Sequence, residues 1–205
     1  CGDVNYSVVA TLFSGGCPGT WMREWTATDA CGNTASSLQF VTLYDDIAPE
    51  FTSLPVMNVQ LESGSMCDAD TTPESTGIPE AADNCGPSVE VTIAHQDSPV
   101  DDICPGSYSF SRTWTATDFC GNESVFVQFI EVMDVAGPVF VDAPADQNNQ
   151  CEEMAYSMEA TDECSFVTVV ETRDTLFSDA CGNYEHLVTL TAHDVCGNMT
   201  EHQFT

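Results

Sequence analysis

Residues 107–122 read SYSFSRTWTATDFCGN. Tyr108, Phe110, Arg112, Trp114 and Ala116 fall on alternate positions, the period of a strand that turns one face to a core. The run ends in Asp-Phe-Cys-Gly-Asn, a hairpin device: the Asp side chain caps the turn, Gly accepts positive φ, and Asn tolerates the left-handed region. The next run, VFVQFIEVMD from Val125, alternates again. Together they predict two long antiparallel strands joined by a tight turn.

The phrase recurs as WTATDACGN from Trp25 and LTAHDVCGN from Leu190. Its Asp residues, Asp29, Asp118 and Asp194, lie about 89 and then about 76 residues apart, the size of a small β domain and longer than a typical solenoid repeat. Further period-two runs start at Val4, Ser88 and His186, and no helical period is sustained. The expectation is an all-β chain of antiparallel β-sandwich modules in tandem: 1–46 partial and lacking its first strands, 47–134 complete, and 135–205 truncated in its last strand. Cys1-Gly2 match Cys85-Gly86 and the final HQFT matches Val127–Phe129, so the chain reads as a segment of a longer, processed polypeptide. In the middle copy, strands are expected at Val56–Glu62, Ile78–Ala82, Val89–His95, Tyr108–Thr117 and Ser124–Val132. A short edge strand is expected between Gln96 and Pro105.

Eleven Cys recur at fixed places in modules too small to bury a large core, which predicts an oxidising, extracellular compartment and a disulfide framework. If consecutive strands run up and down, Cys67 and Cys104 share one end of the middle copy, while Cys85 and Cys120 share the other. That assigns Cys67 to Cys104 and Cys85 to Cys120. By equivalence it pairs Cys151 with Cys181, Cys164 with Cys196 and Cys1 with Cys31, leaving Cys17 over. Geometry strongly disfavours Cys104 with Cys120, since a strand of about ten residues holds them roughly 30 Å apart and a cystine needs Cα atoms within about 7 Å. Loops of about 30 to 37 residues closed this way are each worth about 3 to 4 kcal/mol in the chain-entropy model.

The charge is extreme: 33 acidic residues, 3 Arg and no Lys give a net −30. Such a chain repels nucleic acid and anionic lipid and attracts divalent cations, and it cannot form Lys–Asn isopeptide cross-links. The topology sends Asp45, Asp46, Asp83 and Asp118 to one module end, and Asp134, Asp162 and Asp194 to the next. Asn122 and Asn198 stand beside them as candidate oxygen donors. Converging carboxylates at a junction suit Ca²⁺, which takes six to eight oxygen ligands in loose geometry. The competing reading is that each Asp caps its own turn and faces water.

Trp25 and Trp114, with Leu190 in the same place of the third copy, are expected to pack in the core, with Arg23 and Arg112 over the rings. Enzymatic chemistry is not expected. His95, His186, His193 and His202 lack metal-ligand spacing, and there is no nucleophile motif or Gly-rich phosphate loop. Asn5, Asn122 and Asn198 head N-x-S/T triplets and are candidate glycan acceptors.

The linkers DIAPEF at Asp46–Phe51 and DVAGPVF at Asp134–Phe140, the ADNCG turn, and SRTWTATDFCGN with VQFIEV carry a resemblance across the whole chain. It resembles the hyalin-repeat and related immunoglobulin-like modules found in tandem in secreted and cell-surface proteins, especially bacterial adhesins of the Bacteroidota type. The resemblance implies an immunoglobulin-like sandwich and a role in adhesion or extended extracellular structure, with no catalytic residues. Four Cys per complete copy depart from the simplest hyalin-repeat form. The expected function is a repeat segment of a fibre, filament or adhesin stalk whose partners are neighbouring copies of itself, without membrane insertion by this segment. The alternative is an adhesin module gripping a glycan or protein through the loops Asp68–Gly77 and Gln96–Pro105.

Overall fold

The computed structural model describes residues 2–85, 90–148, 156 and 158–205. The chain is nearly all β. In order it forms β1 (Asn5–Ser14), β2 (Gly19–Thr28), β3 (Thr34–Leu43), β4 (Glu50–Ser53), β5 (Asn58–Glu62), the short helix α1 (Pro73–Thr76), β6 (Glu80–Ala82), β7 (Thr92–Asp97) and β8 (Asp101–Cys104). Then follow β9 (Ser107–Thr117), β10 (Glu123–Met133), β11 (Val139–Phe140), β12 (Ala160–Thr161), β13 (Thr168–Ser178), β14 (Tyr184–His193) and β15 (Met199–Phe204). The expected edge strand is β8, paired with β9. The strand expected from Val89 starts at Thr92, and Val89 itself lies outside the described residues.

The chain divides into two compact units, Cys1–Pro55 with Gly77–Gln96 and Thr113–Val127, and Val56–Thr76 with Asp97–Arg112 and Gln128–Thr205. The division cuts β9 and β10 instead of falling at the linkers.

In the first unit β1, β2 and β3 form an antiparallel meander, with Trp25 opposite Val8 and Ser37. β4 pairs antiparallel with β6, and Phe51 of β4 meets Phe126 of β10 edge-on at 6.3 Å. Trp114 and Ala116 are buried, with the His95 ring 5.1 Å from that of Trp114.

In the second unit β5 runs parallel to β10, from Asn58 opposite Phe129 to Glu62 opposite Met133. No hairpin joins these two strands, so nothing local dictates their sense. Gln128, wholly buried, donates its amide to the carbonyls of Val56 and Thr76 and fixes the approach to β5. Arg112 is buried and donates from Nε and Nη2 to the Asp97 carboxylate, at 2.7 and 2.8 Å, and from Nη1 to Thr76 Oγ1. Its guanidinium lies over the Phe110 ring at 5.6 Å, so the expected cation–aromatic contact exists with a different ring. β13, β14 and β15 form an antiparallel sheet whose core, Val188, Leu190 and Phe204, packs against Phe140, Tyr156 and Val169.

Leu190 and Trp114 are thus core residues, but Trp25 is 43% exposed and Arg23 is exposed. The Trp25 indole donates to Gln39 Oε1 at 3.1 Å, along its own sheet. The difference has a plain cause: among the described residues, β1–β3 carry no second sheet over the face that holds Trp25.

Candidate functional site

The Asp-x-Cys-Gly-Asn turn is built four times, three of them with the same set of bonds. At Asp29, Oδ1 accepts from the backbone N–H of Cys31 and of Asn33, and Oδ2 accepts from the Asn33 amide at 2.7 Å. Asp118 holds Cys120 and Asn122 in the same way, Asp179 holds Cys181 and Asn183, and Asp194 holds Asn198. Gly32, Gly121, Gly182 and Gly197 sit at φ 86°, 88°, 86° and 93°, where a Cβ would be strained. Hydrogen bonds from Asn33 and Asn183 hold the Asp29 and Asp179 carboxyls below the usual aspartate range. At Asp118 burial pushes the other way but is outweighed by the bonds from Asn122 and Cys120.

Two of these turns grip a linker. The Asn122 amide donates to Asp118 Oδ2 and to the Asp45 carbonyl at 3.1 Å, and the Asn198 amide donates to Asp194 Oδ2 and to the Asp134 carbonyl at 3.1 Å. Sequence reasoning expected oxygen donors here; the structure shows the nitrogen doing the work. A glycan on either nitrogen would break that clamp, whereas Asn5 stands exposed at the start of β1. Pro49 and Pro138 are fully buried beside the clamped residues, so each linker is packed in place.

Carboxylates do gather at the linkers. Asp45, Asp83 and Cys85 bring ligand atoms within 4.8 Å of one another, and so do Asp134, Asp162 and Cys164. Asp83 Oδ2 and Asp134 Oδ2 are buried with no hydrogen-bond partner. Asp134 is 6% exposed, and burial, with Asp162 and Asp194 as like charges nearby, pushes its pKa up. Asp46 is exposed and stands outside the cluster, and Asp118 is spent on its own turn. Neither sulfur suits a metal: Cys164 is in a cystine, and the Cys85 thiol donates to Asp45 Oδ2, which with burial pushes its pKa up to about 11. What remains is oxygen chemistry suited to a hard cation.

The cystines differ from those expected. Among the described residues Cys17 joins Cys120, Cys67 joins Cys164 and Cys104 joins Cys196, with Cα atoms 5.0, 5.2 and 5.5 Å apart. Cys31, Cys85 and Cys181 are free and exposed. The pairs Cys67–Cys104, Cys85–Cys120 and Cys164–Cys196 do not form, Cys17 is not left over, and the partners expected for Cys31 and Cys181, Cys1 and Cys151, lie outside the described residues. Strand direction limits which end of a copy each Cys can occupy, yet says nothing about the copy its partner belongs to. A Cβ on Gly106 would lie 3.0 Å from Cys164 Cβ, so the Cys67–Cys164 and Cys104–Cys196 bridges lie side by side and Pro105-Gly106 leaves room for them. Each cystine therefore ties one sequence copy to the next.

Residues 56–132 match the family model described as HYR-like domain with 4 cysteines, which supports a hyalin-repeat-like module there. The chain is similar to the crystal structure of Drosophila N-cadherin EC1-4, with 14% identity and a TM-score of 0.37 over 98% of this chain and 65% of that one. It is similar to the human desmocollin-1 ectodomain at 9% identity and a TM-score of 0.23, over 98% of this chain and 50% of that one. Zebrafish RET cadherin-like domains 1 to 4 follow at 8% identity and a TM-score of 0.23, over 98% and 65%. The chain spans about half to two thirds of these structures. No curated protein matches it. Among the described residues, no helix is long and apolar enough to cross a membrane.

Proposed function

We propose that this chain is a load-bearing repeat segment of an extracellular fibre or stalk, with modules 1–46, 47–134 and 135–205 cross-linked to one another in series. The observation that carries the reading is the linkage itself: Cys17–Cys120, Cys67–Cys164 and Cys104–Cys196 each bridge successive copies. A cystine closing a single module would stabilise that module alone. One that spans two carries tension past the linker. The test is mechanical: the chain, held at both ends, resists extension until a reductant is added.

Ca²⁺ at the linkers belongs to the same proposal. Asp134 with Asp162 would hold one ion, and Asp45 with Asp83 a second, each satisfying a carboxylate oxygen otherwise buried without a partner. An ion there removes the repulsion between the acids and fixes the linker, so binding stabilises the fold. At a hundredfold excess over Kd the gain is about 2.7 kcal/mol, a rise in melting temperature of roughly 5 to 10 °C for a chain of this size. Asp134→Asn abolishes the share of the rise that comes from its own site. A melting temperature unmoved by Ca²⁺ and by chelator removes the ion from the account while leaving the cystines.

A second reading has its own observation. The loops singled out as binding candidates line one cavity of about 630 Å³, with Met66, Asp68, Thr71, Asp97, Val100 and Tyr108 on its walls. The Tyr108 hydroxyl donates to Asp68 Oδ1 at 2.5 Å and braces the two sides. Aromatic and carboxylate groups on a cavity wall suit a glycan, and binding on a glycan array lost in Tyr108→Ala would support an adhesin role carried on the stalk.

A further inference from the structure

We propose that the outer face of β5, β10 and β9 is a second sugar-binding subsite, and that with the cavity beside it this face takes a neutral oligosaccharide laid across the sheet. The inference rests on the glycan reading of that neighbouring cavity, and adds where further sugars sit and what charge the glycan carries.

The strand period builds the face. Phe110, Gln128 and Ile130 turn inward and are buried, so the residues between them on β9 and β10 face out. Parallel pairing sets Asn58 opposite Phe129 and Gln60 opposite Glu131, two outward rows across β5 and β10. Phe129 shows 52% of its surface there. The Gln60 amide donates to Glu131 Oε2 at 2.9 Å, which fixes both side chains and leaves the Gln60 carbonyl oxygen, its second N–H and Glu131 Oε1 for a ligand.

The face is concave because the turn between β7 and β8 walls one side of it. That turn is pinned to β9: the Ser98 N–H donates to the Ser111 carbonyl at 2.8 Å, and the Ser111 N–H donates to Ser98 Oγ at 3.0 Å. Turn and sheet enclose a cavity of about 600 Å³, within the range of small-ligand sites, with Asn58, Gln60, Phe129, Glu131, Ser109 and Asp101 on its walls. Ser98 and Phe110 line both this cavity and the one braced by Tyr108 and Asp68, so the two adjoin.

The groups present choose the ligand. An exposed aromatic ring among amides, hydroxyls and carboxylates matches a pyranose, whose C–H face packs on the ring while its hydroxyls bond to the polar wall. Among the described residues neither cavity is lined by Lys, Arg or His, and five acids, Asp68, Asp97, Asp101, Asp102 and Glu131, line the pair. Uronate, sialic acid and sulfate groups are repelled, whereas neutral hydroxyls donate to the carboxylates.

The experiment applies the full 205-residue chain, cystines intact, at physiological salt to an array of neutral cello-, manno- and chitin-derived oligomers of two and six sugars. Chitosan oligomers and sialylated, sulfated and uronate glycans stand beside them, and the best pair of lengths is then titrated by calorimetry. A neutral hexasaccharide is expected to bind more tightly than its disaccharide, and the anionic glycans not at all. Phe129→Ala and, on a different strand, Gln60→Ala each lower the hexasaccharide affinity about tenfold and erase the advantage of six sugars over two. Val125→Ala, exposed on β10 and outside both cavities, leaves that affinity as it was. Unchanged affinity in both Phe129→Ala and Gln60→Ala overturns the subsite; if Tyr108→Ala abolishes binding in the same series, the neighbouring cavity keeps its glycan. Binding confined to anionic or amine-bearing glycans overturns the assignment of a neutral ligand. A chain that binds no glycan at all loses both readings.

Discussion

Pulled from its two ends without reductant, the chain is expected to yield only about 55 Å between Cys17 and Cys196. The covalent path crosses from Cys17 to Cys120, runs back about sixteen residues to Cys104, and crosses again to Cys196. Sixteen residues reach about 55 Å at full extension. Cystines closed within each copy would leave some fifty residues from Cys17 to Cys67 and sixty from Cys104 to Cys164 free to stretch, about 370 Å in all. Reductant should release about 600 Å from the same interval. The staples also act on thermal stability. Sequence separations of 92 to 103 make each bridge worth about 4 to 5 kcal/mol in the chain-entropy model, more than bridges inside one copy would supply.

Trp114→Ala should cost about 3 to 5 kcal/mol, and Trp25→Ala under about 1 kcal/mol, in denaturant melts of otherwise identical chains. Both residues head the phrase WTATD, so sequence alone ranks them equal. Trp114 is 2% exposed and its removal opens a cavity walled by His95 and the strands around it, whereas Trp25 lies on an uncovered face with 43% of its surface in water. Equal losses at the two sites would mean that Trp25 is buried in solution, and the β1–β3 face would need a cover.

The strands were legible because their period is unambiguous: Phe110, Arg112, Trp114 and Ala116 alternate with Ser and Thr, and β9 is buried in that same alternation. The turns were legible through Asp and Gly. The fourth copy of the turn, Asp179 to Asn183, is legible in the same way, for Asp-Ala-Cys-Gly-Asn stands there as plainly as at Asp29. Cystine partners were not legible, since period two gives the direction of a strand and not the neighbour that meets its end. The role of Asn122 was hidden for a related reason: its amide is aimed by the carbonyl of Asp45, a residue 77 positions away. Asp45 gathers with Asp83 and Asp134 with Asp162, but only the structure shows that Asp134 keeps one oxygen buried and unpartnered while Asp46 faces solvent.

The central claim is that covalent cross-links run between copies, and mass mapping of the intact cystines tests it most directly. With three Arg and no Lys, the chain is best cut at its acids, which isolate Cys67, Cys104, Cys164 and Cys196 in separate peptides. The account predicts peptides joining Cys67 to Cys164 and Cys104 to Cys196. Peptides joining Cys67 to Cys104 and Cys164 to Cys196 would contradict it.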